Sequence, residues 1–250
     1  MNNILNFSAW VNEEERNDFY KKELNTSFWK DGLFDPKIRE KLLKIASDFY
    51  KDLKISAPIK DVQLTGSLAN YNWTDKSDLD VHVLIDFSEI DENIDLVKKA
   101  LDGARFIWNL RHNVVVRGHD VELYIQDIKE PHVASGLFSL KNNEWIRIPK
   151  YNPPEIDYKD VDKKFHGYVS EIQEMENILS TSNFSSISTT EIYQHAVKLK
   201  DKILKMRREG LAKDGEFSVE NLSFKKLRNE GYIEKVIELI SKAYTNMYNE

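Results

Sequence analysis

Apolar residues recur along this chain with two different periods, and the change between them divides it. Ile38, Leu42, Ile45, Phe49 and Leu53 share one helical face, and Asp35 followed by Pro36 supplies the capping acceptor and preset φ that start a helix there. A shorter helix is expected over residues 12–24. The turn-like KISAPIK then leads into DVQLTG, whose length and composition suit a buried strand. In DLDVHVLIDF the period becomes two: Asp78, Asp80, His82 and Leu84 point one way, and Leu79, Val81, Val83 and Ile85 the other. A helix from about Asp91 to Arg111 follows. NVVVRG and HDVELYIQD read as two strands with Gly118 and His119 at the turn, and GLFSL and WIRIP as extensions of the sheet. From Pro153 strand signals stop, and helical patterns separated by STSNFSSISTT run to the end, the last threonines of that segment capping the next helix. The expected class is α+β, with a mixed sheet flanked by helices in residues 1–150 and a helical domain in residues 151–250.

Composition narrows the chemistry. With 250 residues and 41% hydrophobic content the chain can fill a core, and a net charge of −6 confines any polyanion site to a local patch. Cysteine is absent, which removes disulfides, thiolate zinc sites and a cysteine nucleophile. His112, His119 and His132 are scattered through expected turns without partners at ligand spacing, so zinc is not predicted. The first residues lack a basic segment followed by an apolar one, and nowhere do about eighteen apolar residues run together. The expectation is a soluble, cytoplasmic protein without a membrane partner.

The candidate chemistry lies in one combination: a strand, the Gly66–Ser67 turn, a polar loop, and a second strand that opens with Asp78 and Asp80. Gly66 permits a tight turn and close approach of a ligand, while Ser67 and the turn amides can donate to phosphate oxygens. Two carboxylates spaced by one residue on a strand aim at one place, where their repulsion calls for a divalent cation. Hard oxygen ligands beside a phosphate site suit two Mg2+ or Mn2+ ions, the arrangement for activating a hydroxyl and stabilising a pyrophosphate leaving group. HDVELYIQD offers Asp120 and Glu122 as a third carboxylate. Glu122 is favoured because it is bracketed in mid-strand, whereas Asp120 lies beside the turn. His82 shares the acidic face, and the simpler reading is a neutral histidine packed below the site and bonded to a neighbour.

LTGSLANYNWTDKSDLDVHVLID followed by HDVELYIQD resembles the signature of the polymerase-beta-like nucleotidyltransferase superfamily: a GS turn, a D-x-D strand and a later acidic strand. The likeness covers residues 60–126. A wider segment through EPHVASGLFSL and NNEWI looks like stand-alone nucleotidyltransferases of bacteriophages and of bacterial anti-phage systems, the Hailong type among them. The resemblance implies that Gly66 and Ser67 hold the triphosphate of an NTP (ATP included) or a dNTP, that Asp78 and Asp80 bind both metals, and that Glu122 completes the acceptor-side metal. Glutamate there departs from the more common aspartate. It implies a nucleotidyltransferase core whose nucleotide cleft is closed by the carboxy-terminal helical domain.

The remaining features bear on substrate and acceptor. Lys198, Lys200, Lys202, Lys205, Arg207 and Arg208 face one acid, Asp201, on an expected helix; a solvated face explains them, and Lys202 and Lys205 are the candidates for neutralising the triphosphate. Lys225, Lys226 and Arg228 form a weaker candidate. Tyr71 and Trp73 fit loop packing better than base stacking. The acceptor hydroxyl expected by resemblance belongs to nucleic acid, a nucleotide, a protein or an antibiotic, with short-oligonucleotide or signal synthesis in anti-phage defence favoured, and Tyr244 and Tyr248 as conceivable self-primers. No template-binding module is evident, so template-independent addition is expected. The rival reading is a nucleotide-binding regulator or toxin-antitoxin component without turnover. Oligomeric state is not legible.

Overall fold

The computed structural model describes residues 20–132, 134–152, 155–180 and 189–248. The chain falls into two compact units, Met1–Pro153 and Pro154–Glu250. It is an α+β protein with a mixed sheet, and among the described residues no helix is long and apolar enough to cross a membrane.

In the first unit Asp35 accepts hydrogen bonds from the amides of Lys37 and Ile38, and Pro36 opens α1 (Pro36–Asp52). A short hairpin, β1 (Trp29–Lys30) and β2 (Leu33–Phe34), precedes it. The six-stranded sheet contains β3 (Asp61–Thr65), β4 (Leu79–Ile85), β5 (Val115–Val116), β6 (His119–Asp127), β7 (Leu137–Ser139) and β8 (Glu144–Arg147). Its order is β5-β6-β4-β3-β7-β8, with β4 and β6 parallel and every other pair antiparallel. α2 (Ile94–Arg111) makes the crossover that a parallel pair requires.

Alternation along the strands separates two faces. Leu79, Val81, Val83 and Ile85 of β4 and Val121, Leu123 and Ile125 of β6 enter one core with Ile38, Leu42 and Phe49 of α1 and Val97, Leu101 and Trp108 of α2. The opposite face carries Thr65, Asp80, His82, Glu122 and Tyr124. Beyond the short β5, the outer edge of β6 is satisfied by Asn109 of α2, whose amide donates to the Leu123 carbonyl and accepts from the Leu123 amide.

The helix expected over residues 12–24 lies outside the described residues up to residue 19, and positions 20–24 are not helical. The β5–β6 turn is Arg117–Gly118, with φ of 51° and 83°, so His119 begins the strand instead of sitting in the turn. Two consecutive positive φ values match the twist of a two-residue hairpin.

The second unit is built from α3 (Tyr158–Ser180), α4 (Thr189–Asp214), α5 (Val219–Asn229) and α6 (Tyr232–Asn246). Ile172, Ile192, Ile203, Leu227 and Val236 lie in its core. Most of the polar segment expected to join α3 and α4 is outside the described residues, and Thr189 and Thr190 belong to the first turn of α4.

Candidate active site

Gly66 ends β3 with φ 73° and ψ −161°, a conformation open essentially to glycine alone. A Cβ at this position would lie 1.9 Å from Asp80 Oδ2, so the backbone of the turn rests directly on that carboxylate. Ser67 to Ala69 form a single 3-10 turn, held from below by Trp29, whose indole donates to the Leu68 carbonyl at 2.7 Å, and from the side by Asn70, which donates to Ser135 Oγ at 2.6 Å. The Ser67 hydroxyl donates to Ser77 Oγ at 2.8 Å, and Ser77 Oγ also accepts from the Thr74 amide. His119 Nδ1 donates to the Ser77 carbonyl at 2.7 Å. The residue immediately before Asp78 is thus tied both to the Gly-Ser turn and to the first residue of β6.

Across the three central strands Thr65, Asp80 and Glu122 are consecutive partners in register. Asp78 precedes β4 by one residue on the face of Asp80. Asp120 is exposed, near the start of β6, and pairs with Val115 of β5. Glu122, and not Asp120, is therefore the β6 carboxylate beside Asp80. Arg105 reaches from α2 to the same place: its guanidinium is 3.7 Å from Glu122 Oε1 and lies over the Tyr124 ring at 4.6 Å. Burial, followed by the charges of Asp80 and Glu122, pushes the Tyr124 phenol far up, and Arg105 partly opposes this.

Below this layer His82 Nδ1 and Gln126 Oε1 are 2.8 Å apart, and the His82 ring stacks on Tyr124 and meets His132 at 4.9 Å. Burial drives the His82 pKa down to about 4; the Gln126 bond resists this, and His132 and Arg105 add to it. His82 is a neutral packed histidine, as its position on the strand suggested.

Among the described residues no three His, Asp or Glu side chains already stand together as a metal site. The donor set still fits a hard divalent cation. Asp80 and Glu122 are adjacent, and Asp78 is on the same face, so hard oxygen donors gather on one side of the sheet.

Arg105, Tyr124, Ser77 and His119 were missed as site components by sequence reasoning. The period-two pattern that selects Glu122 also selects Tyr124. Arg105 has no such signal, since its role depends on how α2 crosses the sheet edge. Tyr71 packs with Tyr20 and Tyr151, and the Trp73 indole donates to the Glu23 carbonyl, which makes both loop-packing residues.

Lys202 and Lys205 belong to the second unit, on α4. Lys202 is held by both Glu171 oxygens at 2.6 and 2.9 Å, whereas Lys205 is exposed and 3.8 Å from Glu209. Lys226 is paired with Asp162 at 2.9 Å. Tyr244 and Tyr248 are exposed, with tilted rings in contact at 5.2 Å, and the bond to Tyr244 raises the Tyr248 pKa. No family model, curated protein or solved structure matches this chain.

Proposed function

We propose that the first unit is a metal-dependent nucleotidyltransferase that joins a nucleotide from an NTP or dNTP to a hydroxyl acceptor and releases pyrophosphate. The observation that carries this reading is the in-register row Thr65, Asp80, Glu122 beneath a glycine turn that rests on Asp80. Carboxylates on adjacent strands of a rigid sheet keep their spacing through the reaction, which is what positioning of two charged reactants demands.

Asp78, Asp80 and Glu122 would hold two Mg2+ or Mn2+ ions. When bound, such ions supply charge neutralisation and lower the pKa of the attacking hydroxyl. The Gly66–Ser67 turn would receive the triphosphate: Gly66 admits the phosphate oxygens close to the backbone, the turn amides donate to them, and the Ser67 hydroxyl donates once it turns its proton away from Ser77. The Ser67–Ser77 bond ties that turn to the loop before Asp78, so triphosphate binding and carboxylate position are coupled through one hydroxyl pair. Tyr124, kept protonated by burial and by its acidic neighbours, remains a donor beneath Glu122. The acceptor is a hydroxyl of a nucleic-acid end, a nucleotide or a protein, with short-oligonucleotide or signal synthesis in anti-phage defence as the favoured setting.

A second reading has one observation in its favour. Arg105 places a fixed cation 3.7 Å from Glu122, and a resident guanidinium can neutralise the acids of a nucleotide-binding regulator that has no turnover. Incubating the purified chain with each labelled NTP and dNTP plus Mg2+ or Mn2+, then resolving products by size and by attachment to protein, separates the two. Pyrophosphate release with any acceptor supports transfer. Tight nucleotide binding with none, under every metal and acceptor offered, supports the regulator.

A further inference from the structure

We propose that Arg105 anchors a phosphate of the acceptor, so that the hydroxyl this protein extends belongs to a nucleotide and not to a protein side chain. The assignment rests on the transferase reading and narrows it. The Gly66–Ser67 turn stands at the β3 flank of the row Thr65, Asp80, Glu122, and Arg105 of α2 stands at the β6 flank, 3.7 Å from Glu122 Oε1. In phosphoryl transfer the attacking and leaving oxygens are roughly in line. With the triphosphate on the turn, pyrophosphate leaves toward the β3 flank and the hydroxyl arrives from the opposite one, where Arg105 lies.

Arg105 is held in place with its donors unspent. Its guanidinium lies over the Tyr124 ring at 4.6 Å, and Tyr124 is itself stacked on His82 at 4.6 Å with the ring planes 19° apart. Asp102, on the preceding turn of α2, is 3.8 Å from Nε. Neither Asp102 nor Glu122 is within hydrogen-bonding distance, and among the described residues Nε is buried without a partner. Other arginines of this unit are committed: Arg39 donates to the carbonyls of Leu140 and Lys141, Arg117 to Asp35, and Arg147 to the carbonyl of His132. Arg105 is only 22% exposed, so its fork is fixed by stacking and by two acids while the edge that grips a bidentate partner is unused.

The charge pattern says what that partner is. A guanidinium beside Glu122 competes for this carboxylate with any divalent cation, which is a cost to the site. A neutral acceptor returns nothing for it. An anionic acceptor does, because Asp78, Asp80 and Glu122 gather negative charge on one face and repel a phosphate unless a cation stands beside them. In a nucleotide the 5′ phosphate and the 3′ hydroxyl are carried by one sugar. A cation at the edge of the row can therefore grip the first while the second meets the carboxylates. A serine, threonine or tyrosine hydroxyl brings no such anion with it. A free nucleotide and the 3′ end of a strand share this chemistry.

The test reads binding to the full chain in Mg2+ with no NTP present, so that no transfer takes place. The probes are short single strands of mixed sequence, as DNA and as RNA, the same strands with the last linkage replaced by an uncharged methylphosphonate, and nucleoside 5′-monophosphates against nucleosides. Calorimetry should show the wild-type chain preferring a charged partner to its uncharged counterpart by about tenfold. If the preference appears with strands, the acceptor is a strand end; if only with monophosphates, it is a free nucleotide; either supports the anchor. Arg105→Gln should erase the preference by weakening the charged probe alone, and Arg105→Lys should keep part of it, both with unchanged far-ultraviolet circular dichroism. Equal weakening of charged and uncharged probes by Arg105→Gln, the mark of a merely structural arginine, overturns the proposal. So does a wild-type chain indifferent to the charge, or one that binds none of the probes. Failure of the transferase reading looks different: no pyrophosphate is released with any NTP or dNTP, while the Arg105-dependent preference persists and still supports a phosphate anchor.

Discussion

Gly66 and Asp80 are in such close contact that the hydrogen on the Gly66 Cα occupies the only space between the turn and the Asp80 carboxylate; a Cβ would lie 1.9 Å from Asp80 Oδ2. Two requirements meet in one residue. The backbone there has φ 73° and ψ −161°, and the neighbouring strand presents a carboxylate at the same point. The glycine is fixed both by its own torsions and by the acid it touches.

Gly66→Ala is therefore expected to act twice. The torsional strain costs about 1–3 kcal/mol, which should lower the midpoint of thermal unfolding by several degrees. Separately, the new methyl must displace Asp80, and pyrophosphate release should fall by at least about a hundredfold. A variant with a lowered melting temperature but wild-type turnover would mean that the contact with Asp80 has no part in the chemistry.

Arg105 supplies the next prediction. Its guanidinium neutralises part of the charge that a divalent ion would meet at Glu122, so Arg105→Ala should tighten Mn2+ binding by about tenfold, measured by titration calorimetry on the nucleotide-free protein. Looser or unaltered Mn2+ binding would show that the ion does not share Glu122 with the arginine.

How much of this site was legible depended on the range of the interaction. Asp78, Asp80 and Glu122 could be read because alternation along a strand is local and the pairing of β4 with β6 then sets Asp80 beside Glu122. The α1 start at Asp35–Pro36 was legible for the same reason. His119 was misplaced by the turn, since Arg117 takes a positive φ that a glycine-centred reading assigns one residue later. Ser77 sits in a loop without periodicity, and its importance comes from Ser67 and His119, ten and forty-two positions away. Lys202 looked like an available cation, but Glu171 on a different helix holds it.

His82 predicts the response to acid. Its pKa is about 4 in the fold and 6.5 ordinarily, so between these values the unfolded chain binds more protons. Stability from this residue is therefore complete above about pH 6.5 and is lost as the pH falls towards 4, amounting to about 2 kcal/mol by pH 5. His132, also shifted down chiefly by burial, acts in the same direction. The urea midpoint of the wild-type protein should drop between pH 7 and pH 5, and His82→Gln should drop less over the same interval. Parallel pH profiles for the two proteins would remove His82 as the cause.

The third carboxylate separates two residues of the same strand. Glu122 is the Cα partner of Asp80, whereas Asp120 is exposed, two residues earlier near the start of β6, and pairs with Val115. A neutral isostere preserves shape and removes charge, so it isolates metal holding from packing. Glu122→Gln should reduce nucleotide transfer by at least about a thousandfold, as should Asp78→Asn and Asp80→Asn, because each removes a charged oxygen ligand. Asp120→Asn should keep most of the activity. Asp78→Asn and Asp80→Asn should not lose thermal stability, since like charges are removed from one face, whereas Glu122→Gln gives up its pairing with Arg105 and should gain nothing. The measurement is single-turnover pyrophosphate release at saturating Mg2+, with melting temperatures taken in parallel. If Asp120→Asn were the inactive variant and Glu122→Gln the active one, the acids would converge at the start of β6, level with Asp78, and the row through Thr65, Asp80 and Glu122 would have to be given up as the catalytic line.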